Sequence, residues 1–229
     1  MGWVLAIDTA VGTSVGLARA GEPLDCRADG SSRDHVEQLQ PMIDELLWSR
    51  GITIHDLATI AVSTGPGPFT GMRIGIATAR TLGMVAGIEV RGFGSLDALA
   101  LDWFSGPDRP DGPVVVCTDA RRKELYWATY DADGLRIDGP RVTSPDQLPP
   151  LPVAGPAAGL YSEVLGDRAV AAVAEYVDTA LVASRLAELP DTGLEPQYLR
   201  KPDAVEPRTR KSALGTGQRL RLPKLQEKS

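Results

Sequence analysis

Cysteine and histidine are scarce. The 229 residues include only two of each: Cys26, Cys117, His35 and His55. So few thiols exclude a disulfide framework, and four such residues scattered along the chain do not give the clustered spacing of a zinc site. Both cysteines fall in apolar, strand-like segments and read as buried, inert thiols. Lysine is absent before Lys123, so the glycine-rich loops of the first half lack the Gly-Lys-Ser/Thr of a Walker A motif. No apolar run approaches the roughly 20 residues of a membrane span. The apolar start, Met1–Ile7, ends at Asp8, too short for a signal core and without a basic flank. The expectation is a cytoplasmic protein with no membrane association.

What is present is ordinary for a globular protein: 43% hydrophobic and 24% charged residues, enough chain for one large domain or two small ones. The formal net charge of −6 hides an asymmetry. Residues 1–200 hold 16 Lys+Arg against 27 Asp+Glu, a net of −11, whereas residues 201–229 hold 8 against 3, a net of +5. The acidic body does not read as a nucleic-acid platform. The basic end reads as a disordered, solubilising tail from about residue 206, or as a segment that touches phosphates or an acidic partner.

The pattern along the chain is mixed α/β. Trp3–Asp8, Thr13–Ala20 and Leu24–Ala28 read as three strands, opening with a hairpin. Asp34–Arg50 reads as a helix with apolar Val36, Leu39, Met42, Ile43, Leu46 and Leu47 at helical spacing, stopped by Gly51. Leu57–Ser63 is a buried strand, Gly71–Val85 a helix, Ile88–Arg91 a strand and Leu96–Phe104 a helix. Ser105–Pro113, rich in Gly, Pro and Asp, marks a boundary between units 1–105 and 106–205. The second unit repeats the opening: Pro113–Asp119, Glu124–Tyr130 and Leu135–Val142 as strands, then Val153–Ala154. Helices are expected at Ala157–Leu165 and Thr179–Leu189, the latter N-capped by Asp178. Two related α/β subdomains follow from this.

Two loops are candidates for cradling phosphate. The first, Asp8-Thr9-Ala10-Val11-Gly12-Thr13-Ser14, offers hydroxyls, backbone N–H groups and a carboxylate, or is a plain polar hairpin turn. The second, from Ser63 to Gly75, joins a strand to a helix; Gly65 and Gly67 permit close backbone approach, and the helix start presents unpaired N–H groups. It has neither Walker A chemistry nor dinucleotide-fingerprint spacing. In the following helix Gly71, Gly75 and Ala79 recur every four residues on one face, either for close approach of another helix or for packing on the protein's own sheet. Asp119, Arg121 and Arg122 follow a strand and are placed to line a cleft or form a solvated turn. Trp48, Trp103 and Trp127 read as core or interface anchors.

The segment STGPGPFTGMRIGIATARTLG, Ser63–Gly83, resembles the signature of the TsaB/YeaZ family. LAIDTAVGTSVGLA at Leu5–Ala18, DHVEQLQPMIDELL at Asp34–Leu47, GFGSLDALA at Gly92–Ala100, CTDARRKELYWATYD at Cys117–Asp131 and LEPQYLRKPDA at Leu194–Ala204 agree with it in order and spacing. The resemblance covers about residues 4–204 and implies the two-lobed ASKHA (actin, sugar kinase, Hsp70-like) fold. It implies a non-catalytic subunit that pairs with a catalytic relative, TsaD, and the ATPase TsaE. That complex transfers a threonylcarbamoyl group to the adenosine beside the anticodon of tRNAs reading codons that begin with A. tRNA is then met only within the complex, and a homodimer through the same surface is a competing state. No cofactor is required, with weak ATP or ADP binding at vestigial loops: Asp8, Thr9, Thr13, Gly65 and Gly67. The catalytic relative's metal-binding histidine pair aligns with Ser95 and Leu99, and Pro68 stands where the family commonly has Ser, deleting one N–H. The resemblance places a partner surface on the helices Asp34–Arg50 and Gly71–Val85; with the apolar excess of the first and the small-residue row of the second, the expected interface is Leu39, Met42, Ile43, Gly71, Met72, Gly75, Ile76 and Ala79, with Arg80 at the rim. The alternatives are a nucleotide-binding module or a stand-alone enzyme of kinase or metallopeptidase type.

Overall fold

The structure, a computed structural model, describes residues 2–29, 35–107, 109–170 and 175–200. The basic segment 206–229, treated above as a tail, lies outside the described residues, as do Asp34 and the end of the 194–204 motif.

Three strands open each half. β1 (Trp3–Asp8), β2 (Thr13–Arg19) and β3 (Glu22–Asp29) form an antiparallel meander. After α1 (His35–Ser49) comes β4 (Leu57–Ser63), and after α2 (Phe69–Ala86) comes β5 (Glu89–Phe93). β4 runs parallel to β1 and β5 parallel to β4, so the sheet order is β3-β2-β1-β4-β5. α3 (Ser95–Ser105) leads into the second half, where β6 (Val114–Asp119), β7 (Leu125–Tyr130) and β8 (Arg136–Thr143) repeat the meander. β9 (Val153–Ala154) lies parallel to β6, giving β8-β7-β6-β9, the same order without the last strand. Two sheets with one topology make this the two-lobed ASKHA fold, and the crossover helices cover the sheet faces as parallel pairing demands.

The first sheet has two chemically different faces. Along its inner strands large and small residues alternate with the strand period of two. Leu5, Ile7, Val15, Leu17, Ile60 and Val62 face one way, where they share a core with Leu39, Ile43, Leu46 and Leu47 of α1 and Ile76 and Ala79 of α2. Ala6, Ala18 and Ala61 belong to the other core, shared with α3, the second sheet and Val182 and Ala183. That small-residue face admits α5 (Thr179–Ser184), which returns from the end of the chain to lie against β1, β2 and β3. Gly16 is required there: a Cβ on it would enter the backbone of Thr179 and Ala180. Asp178 caps α5 by accepting the N–H groups of Ala180 and Leu181 at 3.0 Å. The reverse exchange is made by α3, whose Leu96, Leu99 and Trp103 pack with Val114, Val116, Ala128 and Tyr130. A cut at residue 105 therefore separates the sheets but not the lobes, since each sheet is covered by a helix from across that point.

Two expected helices are shorter. Ala157–Leu165 resolves into a 3-10 turn, Gly159–Tyr161, and one turn of helix, α4 (Ser162–Leu165). Thr179–Leu189 stops at Ser184 and continues as a 3-10 turn, Leu186–Glu188; Pro190 holds Leu189 extended, at ψ 140°, as the residue before proline requires.

The burial pattern corrects the expected partner surface. Leu39, Ile43, Met72, Ile76 and Ala79 are all at most 5% exposed, and Gly75 is buried with them. Met42 is half-buried against the same core, and Gly71 is half-buried. The apolar spacing of α1 and α2 is the stripe that packs on their own sheet. Only Arg80 is exposed, at 3.3 Å from Glu195. The outward apolar side chains are others: Trp48 on α1, and Met84 and Val85 on α2, at 83%, 81% and 60% exposure.

The lobes are also joined by a buried polar contact. The Asp97 carboxylate on α3 accepts from Tyr130 Oη at 2.8 Å and from Arg136 Nη1 at 3.1 Å. Burial holds the Asp97 carboxyl above its ordinary value of 3.8, opposed by the Arg136 charge and the Tyr130 hydroxyl.

Two predictions follow from this packing. Ala79→Trp forces a large ring into a filled core and should cost at least about 3 kcal/mol, read as a lowered urea midpoint or loss of the folded circular-dichroism spectrum; near-native stability would mean that Ala79 faces outward. Because Asp97 binds its proton more tightly folded than unfolded, its contribution to stability should fall as pH rises from 3.8 through the folded value. Asp97→Asn, which does not ionise, should lose less stability than the parent over that rise; parallel pH profiles of the urea midpoint would contradict this.

Candidate functional site: the cleft between the lobes

The C-terminal ends of β1, β4 and β6 converge on one cleft. Its walls are the β1–β2 turn, the loop before α2, the β6–β7 turn and residues 197–200.

The first wall is self-contained. Asp8 is fully buried. Its two carboxylate oxygens accept the backbone N–H groups of Ala10 (3.3 Å) and Val11 (3.1 Å). Burial raises the Asp8 pKa, opposed by the neighbouring Ser63 hydroxyl and by the N–H groups of Val11, Ala10 and Gly12. This carboxylate stabilises the turn and does not line the cleft.

Thr9 donates from Oγ1 to Gly71 O at 2.8 Å. A Cβ on Gly71 would strike Thr9 O, one on Gly75 would strike the Thr9 side chain, and one on Gly67 would come within 2.5 Å of Ala10 O. The four-residue row of small side chains in α2 thus makes room for the β1–β2 turn at Gly71 and Gly75 and for the sheet at Ala79. It does not make room for a second helix. Gly65 takes φ 105°, which glycine alone adopts without strain, and its carbonyl accepts the Ser95 N–H at 2.9 Å. Of the loop residues expected from the sequence, Thr9, Thr13 and Gly67 line the cleft, while Asp8 and Gly65 lie behind it. The geometry does not favour a magnesium–nucleotide phosphate site: the β1 carboxylate is enclosed by its own turn, the Asp119 carboxylate that lines the cleft is paired with Arg121, and Pro68, at the N-cap of α2, has no N–H to offer.

The two positions that the resemblance aligns with metal-binding histidines, Ser95 and Leu99, are occupied by structure. Ser95 is fully buried and its Oγ donates to Pro66 O at 3.0 Å. Leu99 is fully buried in the interlobe core. Among the described residues no cluster of three or more His, Cys, Asp or Glu has metal-ligand spacing, and no helix is long and apolar enough to cross a membrane. Cys117 is buried, which pushes its thiol up to about 12. Cys26 lies 3.4 Å from Thr179 Oγ1.

The opposite wall holds what the sequence reading undervalued. Arg121, Arg122 and Lys123 take φ of 62°, 56° and 62°, the left-handed region that costs L-residues roughly 1–2 kcal/mol each. The turn is closed by Ala120 N–H to Glu124 O (3.0 Å) and Glu124 N–H to Arg121 O (3.1 Å). Asp119 steadies its start, accepting the Arg121 N–H at 2.9 Å and lying 3.4 Å from the Arg121 guanidinium. Arg200 reaches the same turn, donating to Ala120 O at 3.1 Å and pairing with Glu124. On the α2 side Phe69 and Tyr198 stack at 5.0 Å with Arg73 over Phe69. Three successive cations before a strand were the one available signal. The Phe69–Tyr198 contact joins residues too distant in sequence to be read from it.

The family model for tRNA N6-adenosine threonylcarbamoyltransferase, TsaD, matches residues 29–175. An uncharacterized protein of Mycobacterium leprae is 38% identical over 219 residues, covering 89% of this chain and 56% of that protein. An uncharacterized protein of Mycobacterium tuberculosis is 37% identical over 205 residues, covering 88% of this chain and 93% of that protein. The tRNA threonylcarbamoyladenosine biosynthesis protein TsaB of Escherichia coli K12 is 35% identical over 133 residues, covering 57% of this chain and 55% of TsaB. The chain thus spans about half the length of the M. leprae and E. coli relatives. The YeaZ structure from Pseudomonas aeruginosa superposes with a TM-score of 0.72 at 26% identity, over 87% of this chain and 100% of YeaZ. With the fold repeated in both lobes and the match extending through the glycine loop, α2, α3 and the second sheet, the chain belongs to the TsaD-type threonylcarbamoyltransferase domain family, in its TsaB/YeaZ branch.

Proposed function

We propose that the chain is a non-catalytic subunit in the biosynthesis of threonylcarbamoyladenosine in tRNA, acting in the cytoplasm by binding the catalytic subunit TsaD together with the ATPase TsaE. The observation that carries this reading is the fate of the start of α3. Where the catalytic relative has two metal-binding histidines, Ser95 is bonded to Pro66 O and Leu99 is core. The enclosed Asp8 carboxylate supports the same reading, since it leaves the cleft without a metal ligand from β1. No cofactor is required, and ATP or ADP binds the cleft only weakly.

The partner surface is the outward face of α2. Ala77, Thr81, Met84 and Val85 are all exposed there, with Arg80 at the rim and Trp48 of α1 as a further exposed anchor. An apolar helix face of this kind also favours a two-fold pairing of identical chains, which competes with the heterodimer.

Reconstitution tests the role. The chain alone should neither hydrolyse ATP nor modify tRNA, and its addition to the catalytic relative and ATPase of the same organism should be required for modification. Metal-dependent turnover by the pure chain, abolished by substitutions in its own cleft, would sink the reading. Met84→Asp, on an exposed position, should leave the thermal midpoint within about 2–3 °C yet weaken capture of the catalytic partner by roughly ten-fold or more; unaltered capture would put the interface on another surface.

A further inference from the structure

The mouth of the cleft concentrates cations and flat rings in an otherwise acidic protein. On one lip, Phe69 and Tyr198 stack at 27° between ring planes, and both rings are about two-fifths exposed, at 43% and 41%. Arg73 lies 3.9 Å from the Phe69 centroid and donates from Nε to Tyr198 Oη at 2.8 Å. Among the described residues this arginine is held by aromatic faces and a hydroxyl. On the other lip Arg121, Arg122 and Lys123 are exposed on a turn whose backbone is locked left-handed. Between the lips a cavity of about 480 Å³ is lined by Phe69, Arg121, Arg122, Tyr126, Tyr198 and Arg200 among others. The described chain ends at Arg200, in this cavity, and the 29 residues that follow in sequence carry 8 Lys+Arg against 3 Asp+Glu. Residues 1–200 carry a net −11. The cationic lip therefore stands out on an acidic body.

Cations alone would suit any polyanion. Half-exposed, pre-stacked rings beside them suit one whose charged backbone carries planar groups, because every base has a face to stack while a carboxylate side chain has none. We propose that this mouth binds single-stranded RNA: phosphates lie along Arg121 and Arg122, and one or two bases extend the Phe69–Tyr198 stack. The inference deepens the proposed role and rests on it for the choice of RNA over DNA. It assigns the cleft mouth to the nucleic acid and leaves the outward face of α2 to the protein partner.

The test is fluorescence anisotropy of the full chain with a labelled single-stranded oligoribonucleotide of about 12 nucleotides, across a salt series. The parent should bind with an affinity that falls steeply with salt. Arg121→Ala combined with Arg122→Ala should lower affinity roughly ten-fold and make the log–log salt slope shallower by about 1–2. Tyr198→Leu should lower affinity several-fold with the slope unchanged, and Tyr198→Trp, which keeps a stacking face, should restore it. Circular dichroism distinguishes these effects from loss of fold; if Tyr198→Leu unfolds, the arginine pair and Tyr198→Trp still decide the matter. The proposal is overturned if the full chain shows no salt-dependent binding. It is also overturned if the cleft variants bind like the parent, which would assign binding to the basic segment alone. Competition by poly-glutamate as effective as by unlabelled RNA would overturn it in favour of an acidic protein ligand. RNA binding that fails while the chain still supports reconstituted modification sinks this inference alone; RNA binding that holds while reconstitution proceeds without the chain sinks the functional role instead.

Discussion

Everything in this molecule depends on how the small-residue face of the first sheet is covered. Leu5 and Ile7 on one side of β1 build a conventional helix-packed core, but Ala6, Gly16, Ala18 and Ala61 leave the other side shallow. A shallow face admits a helix at close range, and that helix is α5, from the far end of the described chain. α3 makes the return exchange onto β6 and β7. Each sheet is therefore completed by a helix the other half of the chain supplies. The cleft is held open between two lobes that share one core, and its walls inherit the rigidity of that core.

The same interlock explains why the cleft is structural on one wall and available on the other. The β1–β2 turn is clamped by Asp8 from within and by Gly71 and Gly75 of α2 from without, so its hydroxyls and N–H groups serve the fold. The β6–β7 turn is closed by its own hydrogen bonds. Its cations project from a strained but well-closed hairpin whose hydrogen bonds fix the direction of the side chains. On this wall the cleft presents arginine side chains and aromatic faces, groups suited to binding and orienting a ligand.

Much of the fold was legible because period is local. The short apolar runs Trp3–Asp8 and Leu57–Ser63 are strands with the observed bounds, and Gly87, in the left-handed cap of α2 at φ 68°, ends its helix where a glycine should. The Asp178 cap was readable for the same reason. The direction in which a helix faces was not, because an apolar stripe is the same in sequence whether it covers its own sheet or a partner. Leu39, Ile43, Ile76 and Ala79 are expected from the sequence on a partner surface, but the protein's own sheet takes them all. Glycine spacing misled in the same way: four-residue spacing fixes a face, not what lies against it, and here that is Thr9. The aromatic lip was illegible because Phe69 and Tyr198 meet only after the C-terminal segment has crossed α2, an arrangement set by tertiary contacts such as Gln197 N–H to Thr64 O at 2.8 Å.

The late placement of α5 has a consequence for synthesis. A chain leaving the ribosome presents β1, β2, β3, β4 and β5 well before Thr179–Ser184 has been made. During that interval the nascent first sheet covers its Leu and Ile side with α1 and α2 but shows its Ala6, Ala18 and Ala61 side to solvent. Small side chains keep this transient surface low in apolar area, so the half-built lobe is less adhesive than a Leu-rich face would be. Translation and folding are thereby ordered in time. The lobe that starts the chain closes only once α5 has emerged, and α5 is the latch.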